Sequence, residues 1–261
     1  MPEPLILVTN DDGVHAPGIK ALAAALRAIG PVHVVAPDRE VSACAQSLTL
    51  TRPLRAETVE PFVHAVDGTP ADCINLAIVK LLSRRPDLVV SGINRGPNLG
   101  DDIFYSGTVG GAREGTFFGI PSIAMSLAVK SDPDFTHAAA FAVRVARMVL
   151  AKGLPERTLL NVNVPPGQPR GVRVTRLGRR LYSEKVVERQ DPRGRRYFWI
   201  GVGPPAWESG EGTDHAAVHG GYVSVTPLML DLTDYPGLRA LKDWERDYRR
   251  ASRGRKGAEG R

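Results

Sequence analysis

The stretch LILVTNDDG at residues 5–13 decides how the rest of the chain is interpreted. Its first five residues are apolar or β-branched without interruption, and the strongly polar residues begin only afterwards. A continuous apolar run that is closed by turn-forming residues is typical of a strand buried on both faces of a parallel sheet. The sequence therefore predicts an α/β fold in which the first strand ends just before Asn10, Asp11 and Asp12.

Asp11 and Asp12 are adjacent carboxylates at the carboxyl end of this predicted strand, which is the edge where open α/β sheets bind ligands. Two like charges in a cleft repel each other and need a cation, a shared proton or a basic partner. A hard divalent metal ion is the simplest such partner. The alternative is an Asx turn in which one of the two aspartates caps the helix that starts near Gly18.

Strand and helix signals alternate through the first half of the chain. Apolar spacing predicts helices at residues 18–29, 71–82, 109–118 and 135–150, and strands at 32–36, 88–90, 122–125 and 159–164. Two further short extended pieces are predicted at residues 48–54 and 62–66. Strands separated by helices of this length predict parallel βαβ crossovers and a doubly wound sheet.

The second half has a different pattern, with extended segments at 172–177, 181–189, 195–202 and 218–227 and little helix between them. The residues DPRG at 191–194 predict a hairpin turn. A hairpin with a basic tip adds little to the core of a monomer, so we expect residues 181–202 to form an arm that packs on another subunit. A last helix is predicted at 237–249.

These patterns predict three regions: an α/β catalytic core at residues 1–175, an extended oligomerisation region at 176–248, and a basic tail at 249–261. The strand at 218–227 is able to return to the core from the second region. The tail lacks apolar residues that could anchor it, and we expect it to be disordered.

The composition of the 261 residues excludes several classes of protein. No apolar stretch approaches the roughly 20 residues that cross a membrane, and no signal-type segment is present, so we expect a cytoplasmic protein. The net charge of +6 lies largely in the tail, and no platform of aromatic and basic residues suggests nucleic-acid binding. Cys44 and Cys73 form no CxxC pair, which argues against a cysteine zinc site and leaves one disulfide open.

Further loops are expected at the same edge of the sheet as Asp11 and Asp12. The loop after the second strand offers the hydroxyl of Ser42, and the loop that follows residues 88–90 offers Asn94 and Asn98. Neutral oxygen donors beside two carboxylates are suitable ligands for Mg²⁺, Mn²⁺ or Ca²⁺.

The run YSGTVGG at residues 105–111 leads directly into a predicted helix of small residues. Free backbone N–H groups at a helix amino terminus bind anions. We therefore predict that Asn98, Ser106, Gly107 and Thr108 bind phosphate, although a glycine-rich turn before such a helix is also common as plain structure.

Other nucleotide-binding and hydrolase patterns are absent from the sequence. There is no P-loop of the form GxxxxGKS or GxxxxGKT, no GxGxxG after the first strand, and no GxSxG. His215 and His219 are four residues apart, as in a metal pair on a helix, but the flanking glycines predict a turn and a short segment instead.

Six motifs in unbroken order closely resemble the SurE family. They are VTNDDG at 8–13, APDREVSA at 36–43, GTPADC at 68–73, SGINRGPNLGDDIFYSGTVGGAREG at 91–115, GIPSIAMS at 119–126 and TDHAAVHGGYVSVTPL at 213–228. The resemblance spans residues 5–232 and leaves the basic tail outside it.

This resemblance implies a metal-dependent 5′-nucleotidase that hydrolyses nucleoside monophosphates, with a Rossmann-like α/β domain. It implies that Asp11, Asp12, Ser42 and Asn94 are the metal ligands, and we expect the metal to be Mg²⁺ or Mn²⁺. It also implies a homodimer or homotetramer in which C-terminal elements are exchanged between subunits. Asp11 and Asp12 are the expected catalytic residues, with the role of Asp11 as base or nucleophile left open.

Two alternative functions can be distinguished from this one. A haloacid-dehalogenase-like phosphatase would phosphorylate an aspartate after the first strand, but it usually spaces its two acids by one residue. A catalytically silent nucleotide sensor would bind nucleotide without releasing phosphate.

Overall fold

The structure, a computed structural model, describes residues 3–129, 131–181, 186–200, 206–208, 210–246 and 248. The chain divides into two units, Met1–Leu228 and Met229–Arg261. The helices are α1 Pro17–Leu26, α2 Pro70–Leu76, α3 Gly107–Phe117, α4 Thr136–Lys152, α5 Asp214–His219 and α6 Tyr235–Ala240. A π-helical turn at Ala77–Leu81 continues α2, and a 3₁₀ turn at Gly100–Phe104 precedes α3.

The strands in chain order are β1 Ile6–Thr9, β2 Val32–Pro37, β3 Ala56–Glu60, β4 Val63–Val66, β5 Leu88–Arg95, β6 Ser122–Leu127, β7 Thr158–Val164, β8 Val172–Val174, β9 Arg180–Leu181, β10 Val186–Gln190, β11 Arg196–Ile200, β12 Ala206–Trp207 and β13 Val223–Met229. Within the described residues, nine of them form one sheet in the order β3-β4-β2-β1-β5-β6-β7-β13-β8. The neighbours of β1 on both sides, β2 and β5, are parallel to it. This arrangement confirms the predicted doubly wound, mainly parallel sheet.

Helices cover both faces of the sheet, and successive residues of β1 point to opposite faces. Ile6 and Val8 are buried in one cluster with apolar residues of α1 and α4. Leu7 is buried in a second cluster, with Cys73 and Ile74 of α2. The alternation explains why the whole of β1 is apolar.

The small residues of α3 let this helix lie very close to the sheet. A Cβ at Gly111 would stand 2.9 Å from Thr9 Cγ2, and a Cβ at Gly115 would stand 2.6 Å from Ser122 Oγ. A side chain at either position would have to displace these neighbours. The close packing brings the amino end of α3 to the carboxyl end of β1.

Several predicted element bounds were wrong. Residues 48–54 form no strand, and the antiparallel pair at the sheet edge is instead β3 with β4. The strand predicted at 88–90 continues to Arg95, so Asn94 lies on a strand end rather than in a loop. Residues 214–219 form α5, which shortens the strand predicted at 218–227 to Val223–Met229. In each case pairing or packing with distant residues outweighs the local pattern.

The predicted hairpin is confirmed. β10 and β11 pair antiparallel, and the Gly194 N–H donates to the Asp191 carbonyl at 2.9 Å to close the turn. The side chains of Phe198, Trp199 and Ile200 are exposed on β11. This hairpin is therefore an apolar projection that the core of the unit does not cover.

The second unit contains α6, which begins where the Asp234 carboxylate accepts the Gly237 N–H at 3.0 Å. The basic tail predicted at residues 249–261 lies outside the described residues. Among the helices that the structure describes, none is long and apolar enough to cross a membrane. The cytoplasmic location stays a prediction.

Candidate active site

Asp11 lies just beyond β1 and is almost fully buried. Burial of its carboxyl group, with the Asp12 charge beside it, raises the pKa of Asp11 to about 6, against the lowering effect of a hydrogen bond from Thr108. The Thr108 hydroxyl donates to Asp11 Oδ1, and Thr108 is itself fully buried. Asp11 is thus held directly against the first turn of α3.

Asp12 faces the end of β5. Its Oδ2 accepts the Arg95 N–H at 3.0 Å. The pKa of Asp12 is raised, mainly by burial and further by the charge of Glu40, against the lowering effects of the Arg95 N–H bond and charge. The register of β1 and β5, which sets Thr9 opposite Ser91, brings Asp12 and the end of β5 to the same place.

The alternative in which Asp11 or Asp12 caps the next helix is wrong. The residue before α1 is Ala16, and the helix has no side-chain cap, with a proline in its first turn instead. The turn after β1 is closed by Asn10, whose Nδ2 donates to the Gly13 carbonyl at 2.9 Å. Both aspartates are therefore free of a capping role.

The loop after β2 joins this cluster through its backbone. The Val41 N–H donates to the Asp11 carbonyl at 2.9 Å, which fixes the position of the neighbouring Ser42. The exposed Ser42 hydroxyl donates to Glu40 Oε1 at 2.7 Å. On the other side, Asn94 Nδ2 donates to the Gly96 carbonyl at 2.9 Å, which leaves the side-chain oxygen of Asn94 as an acceptor. Ser42 and Asn94 thus lie on the two elements that bracket the aspartates.

Asn98 is held rigidly beside the ends of β6 and β7. Its N–H donates to Asn163 Oδ1 at 2.8 Å, and its Nδ2 donates to Ser126 Oγ at 2.8 Å. The Asn98 carbonyl accepts from the side chains of Asn161 and Asn163, each at 2.9 Å. One N–H of the Asn98 amide is therefore already used, and the other remains for a ligand.

Ser106 caps α3. Its hydroxyl accepts the Val109 N–H at 3.0 Å, as expected of a serine at this position. Gly107 follows as the first helical residue, and a Cβ there would stand 2.8 Å from Asp11 Cβ. Gly107 and Thr108 of the predicted phosphate-binding set thus lie against Asp11 of the predicted metal-binding set.

The donor chemistry of this cluster fits a hard divalent cation. Two carboxylates, one of them buried with a raised pKa, lie beside neutral hydroxyl and amide oxygens. Asn10 Oδ1 is buried in the same turn, and no hydrogen-bond partner for it is found among the described residues. Nowhere among the described residues do three His, Cys, Asp or Glu side chains lie close enough together to hold a metal ion. The fit therefore depends on Ser42, Asn94 and water to complete the ligand set.

Two polar residues near the site were missed by sequence reasoning. The negative charge of Glu40, in the loop after β2, helps to raise the pKa of Asp12. Glu114 of α3 is buried, and its carboxylate accepts hydrogen bonds from Gln46 Nε2 at 2.7 Å and from Asn75 Nδ2. The bond from Gln46 anchors the loop that carries Ser42. Glu114 lies within the motif at residues 91–115, but its partners Gln46 and Asn75 are far away in sequence, so the motif alone does not indicate its role.

His215 and His219 share one face of α5, contrary to the predicted turn. Their rings stack at 5.9 Å, and the ring of Trp207 stacks on His215 at 4.4 Å. Burial, together with the charge of His219, lowers the pKa of His215. The pair thus packs as an aromatic stack. Cys44 and Cys73 are both free, so the disulfide left open does not form.

Comparisons with known proteins relate the chain to one family. The model of the SurE family, described as survival protein SurE, matches residues 6–184. The 5′-nucleotidase SurE of Syntrophotalea carbinolica is 55% identical over 246 residues, which cover 94% of this chain and 98% of that protein. The 5′-nucleotidase SurE of Geobacter metallireducens is 57% identical over 244 residues, 92% of this chain and 97% of its own length.

A solved structure has the same fold. The crystal structure of the SurE protein from Aquifex aeolicus matches with a TM-score of 0.82 at 47% identity, and the match covers 93% of this chain and 100% of that chain.

Proposed function

Because the chain belongs to the SurE family, we propose that it acts as its named relatives do. It is a 5′-nucleotidase, a phosphomonoester hydrolase that converts nucleoside monophosphates to nucleosides and inorganic phosphate. The observation that carries this proposal is the position of Asp11, a buried carboxylate bonded to the first turn of α3. This contact supports a single site that combines the two carboxylates with the amino end of α3.

Asp11 and Asp12 would hold a divalent metal ion, with Ser42 and Asn94 as neutral ligands. Such an ion, when bound, polarises a phosphoryl oxygen and lowers the pKa of a coordinated water. We propose Mg²⁺ or Mn²⁺, because every ligand is oxygen and because two carboxylates leave room for several waters. Two hydrogen bonds fix the positions of the carboxylates: the backbone N–H of Arg95 donates to Asp12, and the hydroxyl of Thr108 donates to Asp11.

The phosphoryl oxygens would be bound by Asn98, Ser106 and the first turn of α3 at Gly107 and Thr108. Negative charge on the non-bridging oxygens is stabilised by N–H donors that are already in place before the reaction. Asn98 is preorganised in this sense, since four hydrogen bonds fix it to the ends of β6 and β7. Thr108 has a second role, because its hydroxyl orients Asp11.

The direct test is release of inorganic phosphate from AMP, GMP, CMP and UMP by the purified protein with Mg²⁺ or Mn²⁺. Binding of nucleotide without phosphate release would favour the silent-sensor alternative. Borohydride trapping of a phosphorylated Asp11 would instead indicate the dehalogenase-like mechanism. Turnover without a trapped intermediate is the result that we expect.

We propose that the chain is a homodimer or homotetramer joined through the hairpin arm. The support is the exposure of Phe198, Trp199 and Ile200 on β11, because large apolar side chains left exposed together are typical of protein interfaces.

Deleting residues 181–202 is expected to reduce the oligomer to a smaller species, because the deletion removes this apolar surface. Light scattering after size-exclusion chromatography measures the mass. Arg193→Ala, at the hairpin tip, is the control and should leave the mass unchanged. An oligomer that survives the deletion would show that the arm packs on its own subunit.

Gly107→Ala is expected to lower kcat by about a hundredfold, the cost of displacing a catalytic group by roughly 1 Å. The added Cβ would stand 2.6 Å from Cys44 Sγ and 2.8 Å from Asp11 Cβ, so Asp11 or α3 must move. Alanine has the better helix propensity, so the fold should persist and circular dichroism should be unchanged. Adding Cys44→Ala removes only the sulfur contact and should restore activity in part at most. Wild-type turnover in Gly107→Ala would contradict the close fit.

A further inference from the structure

Asp214 is fully buried at the start of α5, and its carboxylate accepts three backbone N–H groups. Its Oδ1 accepts from Gly178 at 2.7 Å and from His215 at 2.8 Å. Its Oδ2 accepts from Gly100 at 2.8 Å. One side chain therefore joins three segments that are far apart in sequence.

Gly100 lies in the loop that carries the predicted phosphate-binding residues, two residues after Asn98 and six before Ser106. The Asn98 side of this loop is fixed by Asn161 and Asn163 of β7. Gly100 is the next fixed point, and its backbone approaches Gly178 so closely that a Cβ would stand 2.5 Å from the Gly178 carbonyl oxygen. Its φ of +52° is also unfavourable for other residues.

Gly178 lies just before the hairpin arm, and a second set of contacts joins the same two segments. The Arg180 N–H donates to Asp101 Oδ2 at 3.2 Å, and the Arg180 guanidinium forms an ion pair with Asp102. Residues 100–102 of the loop are thus bonded, directly or through Asp214, to residues 178–180, which form the root of the arm. Asp214 is the buried centre of this junction.

We propose that Asp214 is a positioning residue that holds the loop from Asn98 to Ser106 in its phosphate-binding conformation and ties this loop to the root of the arm. The claim about phosphate rests on the proposed function. The claim about the loop depends only on the hydrogen bonds of Asp214.

Asp214→Asn tests the proposal selectively. The asparagine keeps its side-chain oxygen on the side that receives two donors, Gly178 and His215, because this arrangement saves two hydrogen bonds. The new amide group then faces the Gly100 N–H, and two donors oppose each other. The substitution disconnects the phosphate-binding loop while leaving side-chain volume almost unchanged.

We expect the KM for AMP and the inhibition constant of inorganic phosphate to rise together by about tenfold, which is the size of effect expected from one orphaned buried donor. The kcat should change by less than about threefold, since Asp11 and Asp12 are untouched. Amide hydrogen exchange in the peptide covering residues 98–106 should become faster. If Asp214 were merely structural, its substitution would lower the stability of the protein without raising KM selectively over its effect on kcat.

Asp87→Asn is the control for a carboxylate that accepts a backbone N–H elsewhere in the fold; unlike Asp214, Asp87 is exposed and also pairs with Arg84 at 2.8 Å. The Asp87 carboxylate accepts the Leu5 N–H at 2.7 Å. The substitution therefore weakens a hydrogen bond of the same kind, at the amino edge of the sheet and away from the phosphate-binding loop. KM and exchange in residues 98–106 should stay at the wild-type values. Equal changes in both variants, or an unchanged KM and unchanged exchange in Asp214→Asn, would overturn the proposal.

Gly100→Ala changes the other partner of the hydrogen bond between Gly100 and Asp214. This variant tests the proposal if Asp214→Asn does not fold. Its Cβ should push the loop away from Gly178 and produce the same rise in KM, whereas a wild-type KM would overturn the proposal. A wild-type protein that releases no phosphate would refute the proposed function alone, because hydrogen exchange still reports on the loop.

Discussion

Asp11→Asn and Asp12→Asn should each lower turnover of nucleoside monophosphates by about a thousandfold, equivalent to ~4 kcal/mol of lost transition-state stabilisation. Asparagine has nearly the volume of aspartate but lacks its charge, so the loss would come from weakened metal binding and not from packing. Phosphate release measured over a range of Mg²⁺ and Mn²⁺ concentrations separates lost metal affinity from lost chemistry. Circular dichroism should show an unchanged fold.

The same substitution at Asp11 should raise the thermal stability of the metal-free protein at neutral pH. The pKa of Asp11 is about 6 in the fold, above its ordinary value of 3.8, so its ionised form destabilises the fold by up to ~3 kcal/mol. Wild-type stability should therefore rise as the pH falls through 6. The advantage of Asp11→Asn in Tm should be complete above pH 7 and lost below about pH 4.

Asp38→Asn is a suitable control for both measurements. Asp38 lies in the neighbouring loop and is exposed, with an ion pair to Arg39 at 2.8 Å. Turnover and Tm should both remain close to the wild-type values. Near-wild-type turnover in Asp11→Asn and Asp12→Asn would remove the basis for the metal site.

The central part of the fold could be predicted because its signal is local. β1 is a continuous apolar run, and such a run predicts both a buried strand and the sheet edge at which Asp11 and Asp12 emerge. The hairpin of β10 and β11 has the same property, since its turn is encoded by four consecutive residues. The sequence pattern was sufficient wherever neighbouring residues determine the structure.

Contacts between distant residues could not be predicted in this way. The bond from Thr108 to Asp11 joins residues 97 apart, and the bond from Gly100 to Asp214 joins residues 114 apart. Each depends on how helices and strands are arranged in three dimensions. Thr108 was expected to bind phosphate through its position at the helix end, and only the structure shows its hydroxyl on Asp11.

Removing divalent metal with a chelator is expected to abolish phosphate release. Without a cation, the Asp11 and Asp12 carboxylates would repel an approaching phosphate, and the N–H groups at the end of α3 are too weak to reverse that repulsion. Dialysis against EDTA, followed by assay in metal-free buffer, measures the loss, and a mock-dialysed sample is the control.

Adding back Mg²⁺ or Mn²⁺ should restore activity and raise Tm, because both ions favour an all-oxygen site that retains water. Zn²⁺ prefers nitrogen and sulfur ligands, and the residues around Asp11 offer neither His nor a reactive thiol: burial, together with the Asp11 charge, raises the pKa of Cys44 to about 11. Restoration by Zn²⁺ alone would therefore contradict the ligand set of Asp11, Asp12, Ser42 and Asn94. Full turnover in chelator would contradict the metal-dependent mechanism itself, because no other cation that could neutralise both carboxylates bonds to them in the described residues.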